Sequence, residues 1–492
     1  MKRFLAFLIV LLIPVFLPAQ SANQFGEYFL DKTMRVDYFH IGDAKEELIT
    51  LDQVYEQGAW AGSQINLIDS FNNGRYYVKV FDQETRKLIF SKGFDCYFDE
   101  YKTTAPALDG EKKTFHESIL MPFPKRKVTF SLESRNRENI LKPIFSREIE
   151  PRDTYIIREP IETGVKIFEV VKNGHPHEKV DLGFIGEGYK AEEESKFLTD
   201  LKRYTKIFFG WEPYKTYNAR FNVYGVFKPS TSGGCDEPRQ GIFKNTVVNS
   251  SFNALGTDRY LLTEDNRSLR NLAAHVPYDA ILIMVNIKRY GGGGLYNNYC
   301  CFTSDGEWNE HVMHHEFGHS FAGLADEYYA ADVAYSDFYP KGVEPLEPNI
   351  TALLDPLNLK WKEYITPGIE IPTPWEKEEF DSLYIEHNKV QKELSETNAK
   401  INKMPDGSKG DIEEIKKNME KRSKELDQKM INLLLKSPFS GKVGAFEGAG
   451  FSAKGLFRPM LNCLMLKYTQ EHKYFCKVCE QSIIRIIKHY SE

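Results

Sequence analysis

His315-Glu316-Phe317-Gly318-His319, with Gly323 and then Asp326-Glu327 close behind, is the stretch on which the reading of this chain turns. At 3.6 residues per turn, positions four apart project from one helical face. His315 and His319 can then offer two imidazole nitrogens to one tetrahedral Zn²⁺. Glu316 stands beside that face, where a carboxylate can take a proton from a zinc-bound water and pass it to a leaving amine. A catalytic zinc wants a third protein ligand and an open fourth position for water. Gly323 is a natural helix stop, and Asp326 just beyond it can fold back as that ligand. Glu327 is the alternative, and a salt bridge or helix-end solvation is the plainer role for either. His311 and His314 lie on the same helix and read as packing or supporting groups, since more imidazoles would close the open position. The bare five-residue pattern recurs in unrelated proteins, so its surroundings carry weight.

Outward from the motif, the texture from about Val165 is mixed. Val180-Asp181-Leu182-Gly183-Phe184-Ile185 reads as a buried strand, Lys190 to Phe209 as a helix, Phe221 to Phe227 and Asp279 to Ile287 as further strands. That order implies an α/β or α+β unit. Gly291-Gly292-Gly293-Gly294 precedes the motif helix. It lacks the Lys-Ser or Lys-Thr pair of a phosphate loop, and is either a mobile turn or a place where an extended chain approaches a strand edge closely.

Residues 24–159 carry short period-two segments between turn signals: Tyr76 to Phe81, Lys87 to Phe90, Val128 to Leu132 and Asp153 to Ile157. Strands at this spacing predict a β-sandwich or barrel, with Arg147 to Pro160 as its boundary. From about Trp375 to Lys436 roughly half the residues are charged, and two runs with three-four spacing, Phe380 to Met404 and Ile412 to Leu433, flank Pro405-Asp406-Gly407. These predict an antiparallel helical hairpin. Its polar seam positions His387, Thr397 and Arg422 argue against a long coiled coil. It is either a solvated insertion with its own small core or an arm that docks a partner.

Composition bounds the rest. The 64 basic and 70 acidic residues leave a net charge of −6, which argues against a nucleic-acid partner. Apolar residues at 41% and charged residues at 27% fit a globular chain rather than a disordered one. Lys2-Arg3, the apolar run Phe4 to Leu17 and Pro18-Ala19-Gln20-Ser21-Ala22 have the layout of a signal peptide. No later apolar stretch reaches spanning length; Ala280 to Val285 is strand-sized. Seven cysteines are too sparse for a disulfide scaffold. Export leaves room for some bridges among Cys96, Cys235, Cys300, Cys301, Cys463, Cys476 and Cys479, with one thiol left over. Cys476-Lys477-Val478-Cys479, with His472 upstream, would need two further partners to be a structural zinc site. Redox chemistry would want a different setting, a βαβ context around the pair, and is discounted.

The span from His315 to Tyr328 resembles the metzincin zinc proteases, and within them the IgA-peptidase-like family. Asn462-Cys463-Leu464-Met465-Leu466-Lys467-Tyr468 is similar to their Met-turn, and Phe457-Arg458-Pro459 and Tyr290-Gly291-Gly292 resemble the same family. The segments Gly74-Arg75-Tyr76 and Phe90-Ser91-Lys92-Gly93-Phe94 resemble the β-sandwich domain that precedes its catalytic domains. The resemblance implies Met465 beneath the metal and an antiparallel edge strand above a substrate cleft, for which Ile287 to Gly294 is the candidate. Tyr468 is a candidate oxyanion donor, with a core tyrosine as the plainer role; the same holds for Tyr328. One departure stands out: the general metzincin glycine and third ligand would fall at Ala322 and Ala325, and Gly323 and Asp326 each come one residue late.

The expectation is a mixed α+β protein: an N-terminal β-sandwich followed by a metzincin-like zinc protease domain with a helical-hairpin insertion. Its divisions are a signal peptide at 1–20, the sandwich at 21–158 and the catalytic domain at 159–492, with the insertion at about 375–436. The implied protein is a secreted, periplasmic or cell-surface endopeptidase with one catalytic Zn²⁺, ligands His315, His319 and Asp326, and Glu316 as base. It would act on a protein or glycoprotein substrate, without nucleic acid or a membrane span after signal cleavage. The alternatives are an exported cell-surface binding protein with a vestigial zinc site, or a zinc amidase of another class.

Overall fold

The computed structural model describes residues 24–158, 162–329, 338–401, 410–466 and 474–492. The signal-peptide reading, the Pro405-Asp406-Gly407 turn and His472 fall outside the described residues.

The front of the chain forms two antiparallel sheets. Strand β1 (Phe29–Gly42) is flanked by β2 (Glu47–Glu56) and by β5 (Lys113–Pro124), while β3 (Tyr76–Asp82) lies between β4 (Leu88–Phe94) and β6 (Val128–Arg135), with β7 (Leu141–Ile149) outermost. Met34, Val36 and Tyr38 of one sheet and Val78, Val80, Phe130 and Leu132 of the other join one buried cluster, the arrangement of a β-sandwich. Asp153 to Ile157 is not a strand. Its alternation is too short to pair beyond an isolated bridge between Tyr55 and Ile157, and Tyr155 is 89% exposed.

Polar residues buried in β1 are neutralised locally. Arg35 donates to Asp37 through Nε (2.7 Å) and Nη2 (2.6 Å), and through Nη1 to Asn271 Oδ1 (2.9 Å) on the helix Asn266–Ala273. That contact ties the sandwich to the second half of the chain. The same cluster runs on without interruption into Ile281, Ile283, Val285 and Cys301 of the following sheet.

That sheet has six strands in the order β12-β13-β11-β9-β10-β8: β8 (Lys166–Val171), β9 (Val180–Glu187), β10 (Phe221–Phe227), β11 (Ala280–Val285), β12 (Gly292–Leu295) and β13 (Tyr299–Thr303). Strands β9, β10, β11 and β13 are parallel neighbours, while β8 and β12 close the edges in the antiparallel sense. Every residue of β9, β10 and β11 is buried, which explains their near-continuous apolar sequence. One sheet face belongs to the core shared with the sandwich; on the other, Leu182, Phe184, Leu282, Met284 and Phe302 share a cluster with the helices Glu194–Phe208, Asn309–Ala322 and Lys477–Ser491.

The charged segment forms two helices, Lys377–Ile401 and Gly410–Lys436, packed together. Their base does not have a private core: Phe380, Tyr384, Met430 and Leu434 join the cluster under the motif helix. Farther along the seam His387 Nε2 meets Ser423 Oγ (3.2 Å) and Asp427 Oδ1 (3.2 Å), and Arg422 turns outward to pair with Glu386. Strands β14 (Phe446–Ala449) and β15 (Ser452–Arg458) form a separate hairpin before the Met465 turn.

Candidate metal centre

The motif occupies the helix Asn309–Ala322, which packs across β12 and β13. Gly323 ends it in the left-handed conformation (φ 59), where a glycine carries no Cβ penalty. The helix continues through Ala322, so the turn begins at Gly323, three residues before Asp326.

Beyond the turn the chain reverses and is clamped by Asn349. This buried side chain accepts from Ala325 N (2.7 Å) and donates to Ala325 O (2.9 Å) and Glu327 Oε1 (3.0 Å). Asp326 then faces the motif. Its Oδ1 lies 3.0 Å from His315 Nε2 and 3.3 Å from His319 Nε2, and the two ring nitrogens are 3.1 Å apart. Ligands about 2.0–2.1 Å from a tetrahedral zinc are separated by edges of about 3.3 Å, so these atoms have the spacing of one face of such a site. Glu327, the alternative third ligand, points the other way.

The remaining ring nitrogens fix the tautomers. His315 Nδ1 lies 3.1 Å from Leu464 O, and His319 Nδ1 lies 2.6 Å from Leu324 O. Each Nδ1 donates to its carbonyl, so that with a cation bound between them each Nε2 would offer its lone pair. Asp326 Oδ1 is buried without a hydrogen-bond partner, which a cation at this point would satisfy. The residues present therefore fit zinc.

Glu316 has a carboxylate oxygen within 4.8 Å of a ring nitrogen of each histidine. Burial raises its pKa above the usual carboxylate value, and the neighbouring imidazoles counter only part of that. Burial disfavours the imidazolium of His319, but the Asp326 carboxylate outweighs it and lifts the pKa to about 9. Asp326 moves in the opposite sense: burial disfavours its charge, and the two imidazoles hold it well below the usual range.

Met465 is fully buried, and a Cβ at Gly318 would sit 3.0 Å from its Sδ. The motif helix and the Met465 turn are thus in close contact where the motif has its glycine. His314 is buried, stacked on Trp211 with centroids 4.2 Å apart, and bonds to Glu310 O (2.7 Å). His311 lines the cleft, its ring 5.7 Å from that of His315. Tyr468, the candidate oxyanion donor, lies outside the described residues.

The strand next to the motif helix is Gly292–Leu295, so the expected rim, Ile287 to Gly294, is part loop. Gly292 O accepts from Leu261 N (3.1 Å), which occupies part of its outer edge. Cβ atoms at Gly292 and Gly294 would lie 2.9 Å from Glu316 Cγ and 2.4 Å from Glu316 O. These glycines let strand and helix touch.

The centre opens into a cleft of about 500 Å³. Its walls come from three regions: Arg75 and Asp95 of the sandwich, Arg259 and Tyr328 beside the motif, and Tyr384, His387 and Gln391 of the helical hairpin. Arg259 Nη2 donates to Tyr328 Oη (3.4 Å). Arg259, Asn349 and the hairpin's share of the cleft had no sequence signal, since each depends on contacts between distant segments. The seven cysteines are buried free thiols; none is bridged.

Comparison with protein families gives two matches. A profile described as IgA Peptidase M64 covers residues 168–487, and one described as Peptidase M64 N-terminus covers residues 24–146. No curated protein matches the chain.

Proposed function

The chain belongs to the M64 family of peptidases, and from that membership we propose that it is a secreted zinc-dependent endopeptidase whose ligands are His315, His319 and Asp326 and whose general base is Glu316. Its parts are a sandwich at 21–158 and a catalytic unit at 159–492. The observation that carries the reading is the triangle of Nε2, Nε2 and Oδ1 atoms with separations of 3.0, 3.1 and 3.3 Å, closed around an otherwise unsatisfied carboxylate oxygen.

Zinc, when bound, polarises the scissile carbonyl and lowers the pKa of a nearby water to about 7. Glu316 accepts the proton of the attacking water and delivers it to the leaving amine. Its half-buried carboxylate is suited to both steps, because a raised pKa brings acid and base forms closer in energy at neutral pH. The carbonyls of Leu464 and Leu324 hold the two rings in register, and Met465 supports the helix from below. Arg259 and Tyr328 stand on the cleft wall as donors toward developing negative charge.

A protein substrate follows from membership of a peptidase family. The cleft's aromatic walls, including Tyr260, Tyr290, Tyr339 and Phe451, suit an extended peptide, as do the backbone groups of β12. Export rests on the basic, apolar and small-residue pattern of residues 2–22; no helix among the described residues is long and apolar enough to cross a membrane. The test is incubation with unfolded and glycosylated proteins, first with metal chelated and then with zinc restored. New peptide amino termini that appear only with zinc support endopeptidase action; release of side-chain or terminal amides alone would point to an amidase.

A further inference from the structure

A second set of ligand-type side chains converges behind the motif, and none of its members takes part in the chemistry above. Glu327 follows Asp326, Cys463 precedes Met465 by two positions, and Cys476 and Cys479 open the helix Lys477–Ser491. All four are at most 2% exposed. One ligand atom from each lies within 4.8 Å of the other three. Cys463 Sγ is 3.7 Å from Cys479 Sγ, and Glu327 Oε1 is 3.3 Å from Cys479 Sγ and 3.9 Å from Cys476 Sγ. A tetrahedral ion with zinc–sulfur bonds of about 2.3 Å and a zinc–oxygen bond of about 2.0–2.2 Å requires edges of about 3.8 Å and 3.5 Å. These three separations lie within about 0.4 Å of those edges, and the remaining pairs are no farther apart than 4.8 Å.

We propose that Glu327, Cys463, Cys476 and Cys479 hold a second zinc ion in a closed, structural coordination shell, independently of whether the first centre acts as a peptidase.

Glu327 supplies the strongest supporting observation. Its side chain is 0% exposed, and Oε2 has no hydrogen-bond partner. A carboxylate in such a place is costly unless a cation or hydrogen bonds compensate it. Asn349 donates to Oε1 and aims the carboxylate at the sulfurs, as polar groups behind a metal ligand commonly do. The sulfurs are arranged for negative charge as well. Cys476 N donates to Cys463 Sγ (3.2 Å) and Cys479 N to Cys476 Sγ (3.5 Å), at the start of a helix of 15 residues, where thiolates are favoured. A disulfide between any two of these cysteines would leave the third thiol and the carboxylate unexplained. Three thiolates with one carboxylate suit zinc better than copper(I), which prefers sulfur alone, or magnesium and calcium, which prefer oxygen alone.

The position gives the ion a task. Its ligands come from the loop carrying Asp326, the turn carrying Met465 and the C-terminal helix. Glu327 N also donates to Met465 O (2.8 Å), and Leu464 O orients His315. An ion here staples together the segments that position two of the three ligands of the first centre. Glu327 and the cysteines are therefore positioning residues.

The full chain, purified without chelator, should contain two zinc ions by elemental analysis. The double variant His315→Ala/His319→Ala should fall to one, and on cobalt substitution that remaining ion should show the near-ultraviolet thiolate-to-cobalt charge-transfer band. Cys476→Ser should weaken the band, since one of its three thiolates is removed. Should that variant fail to fold, the double-histidine protein still decides the matter, because its first centre is disabled while the cysteines are intact. Retention of one sulfur-bound ion supports the proposal. A double-histidine protein with no metal, a bound ion without the charge-transfer band, or wild-type mass spectra showing two of the three cysteines joined as a disulfide would each overturn it.

Discussion

A single methyl group at position 294 should damage the metal centre from the outside. Gly294 lies on the edge strand β12, and a Cβ there would sit 2.4 Å from the carbonyl oxygen of Glu316 and 3.2 Å from His319 Cβ. Ordinary heavy-atom contact is about 3.5 Å, so strand and helix must separate by about 1 Å. The obstructing atom is helix backbone, which cannot swing aside as a long side chain could. Overpacking of this size costs about 1–3 kcal/mol. The displaced helix carries both imidazoles and Glu316, and a shift of about 1 Å at a reacting centre can cost about 10²-fold in rate. Gly294→Ala should therefore lower the melting temperature and reduce kcat/KM on a fluorescently labelled unfolded protein by about two orders of magnitude. Gly58→Ala is the control, since nothing lies within 4 Å of its added Cβ. If Gly294→Ala matches wild type in both stability and rate, the close approach of β12 to the motif helix is not what positions the centre.

Asn349→Leu should leave the backbone polar groups of Ala325 and one oxygen of Glu327 without their partner. Each unsatisfied buried group costs about 1–3 kcal/mol, and loss of such a support typically weakens metal binding about 10–100-fold; competition against a zinc indicator and a thermal melt would detect both, and unchanged values would count against the clamp. His40 gives a pH-dependent prediction. Burial disfavours its charge, but the carboxylates of Glu117 and Glu47 outweigh this and raise its pKa, while Glu47 is held down at about 2, its own burial outweighed by His40 and other donors. The raised histidine stabilises the fold fully below its unfolded pKa of about 6.5, and that contribution is lost as pH rises through the folded value. The depressed Glu47 contributes above about 4.5 and loses its share only as pH falls toward about 2. The melting temperature should thus decline on the alkaline side, and His40→Gln should flatten that decline; a variant profile parallel to wild type would exclude His40 as its source.

Local spacing made the motif legible. His315, Glu316 and His319 are related by one helical turn, and Gly323 stops that helix by a backbone rule, so the arrangement on one face could be read from the sequence. Asp326 was harder, because the direction of two adjacent carboxylates depends on Asn349, a residue about two dozen positions away. The cysteine cluster was hidden for the same reason: the C-x-x-C was visible, but its partners Glu327 and Cys463 arrive from separate segments. Strand β1 escaped the period-two reading because it is buried on both faces along much of its length and carries Arg35, Asp37 and His40 inside, the first two paired with each other and the third with Glu117. Asp153 to Ile157 misled in the opposite direction, since five alternating residues without a neighbouring strand form no ladder. The hairpin's two helices were apparent from their three-four spacing, whereas the contribution of Tyr384, His387 and Gln391 to the cleft required the fold.

The most direct measurement is a side-by-side mass analysis of a protein substrate digested by wild type and by Glu316→Gln, with zinc content matched between the two. Wild type should generate new peptide amino termini, and the variant, still carrying zinc on His315, His319 and Asp326, should generate them about 10²–10⁴-fold more slowly. Peptide-bond cleavage at the wild-type rate by zinc-loaded Glu316→Gln would contradict the assignment of the base, and with it the proposed hydrolytic centre.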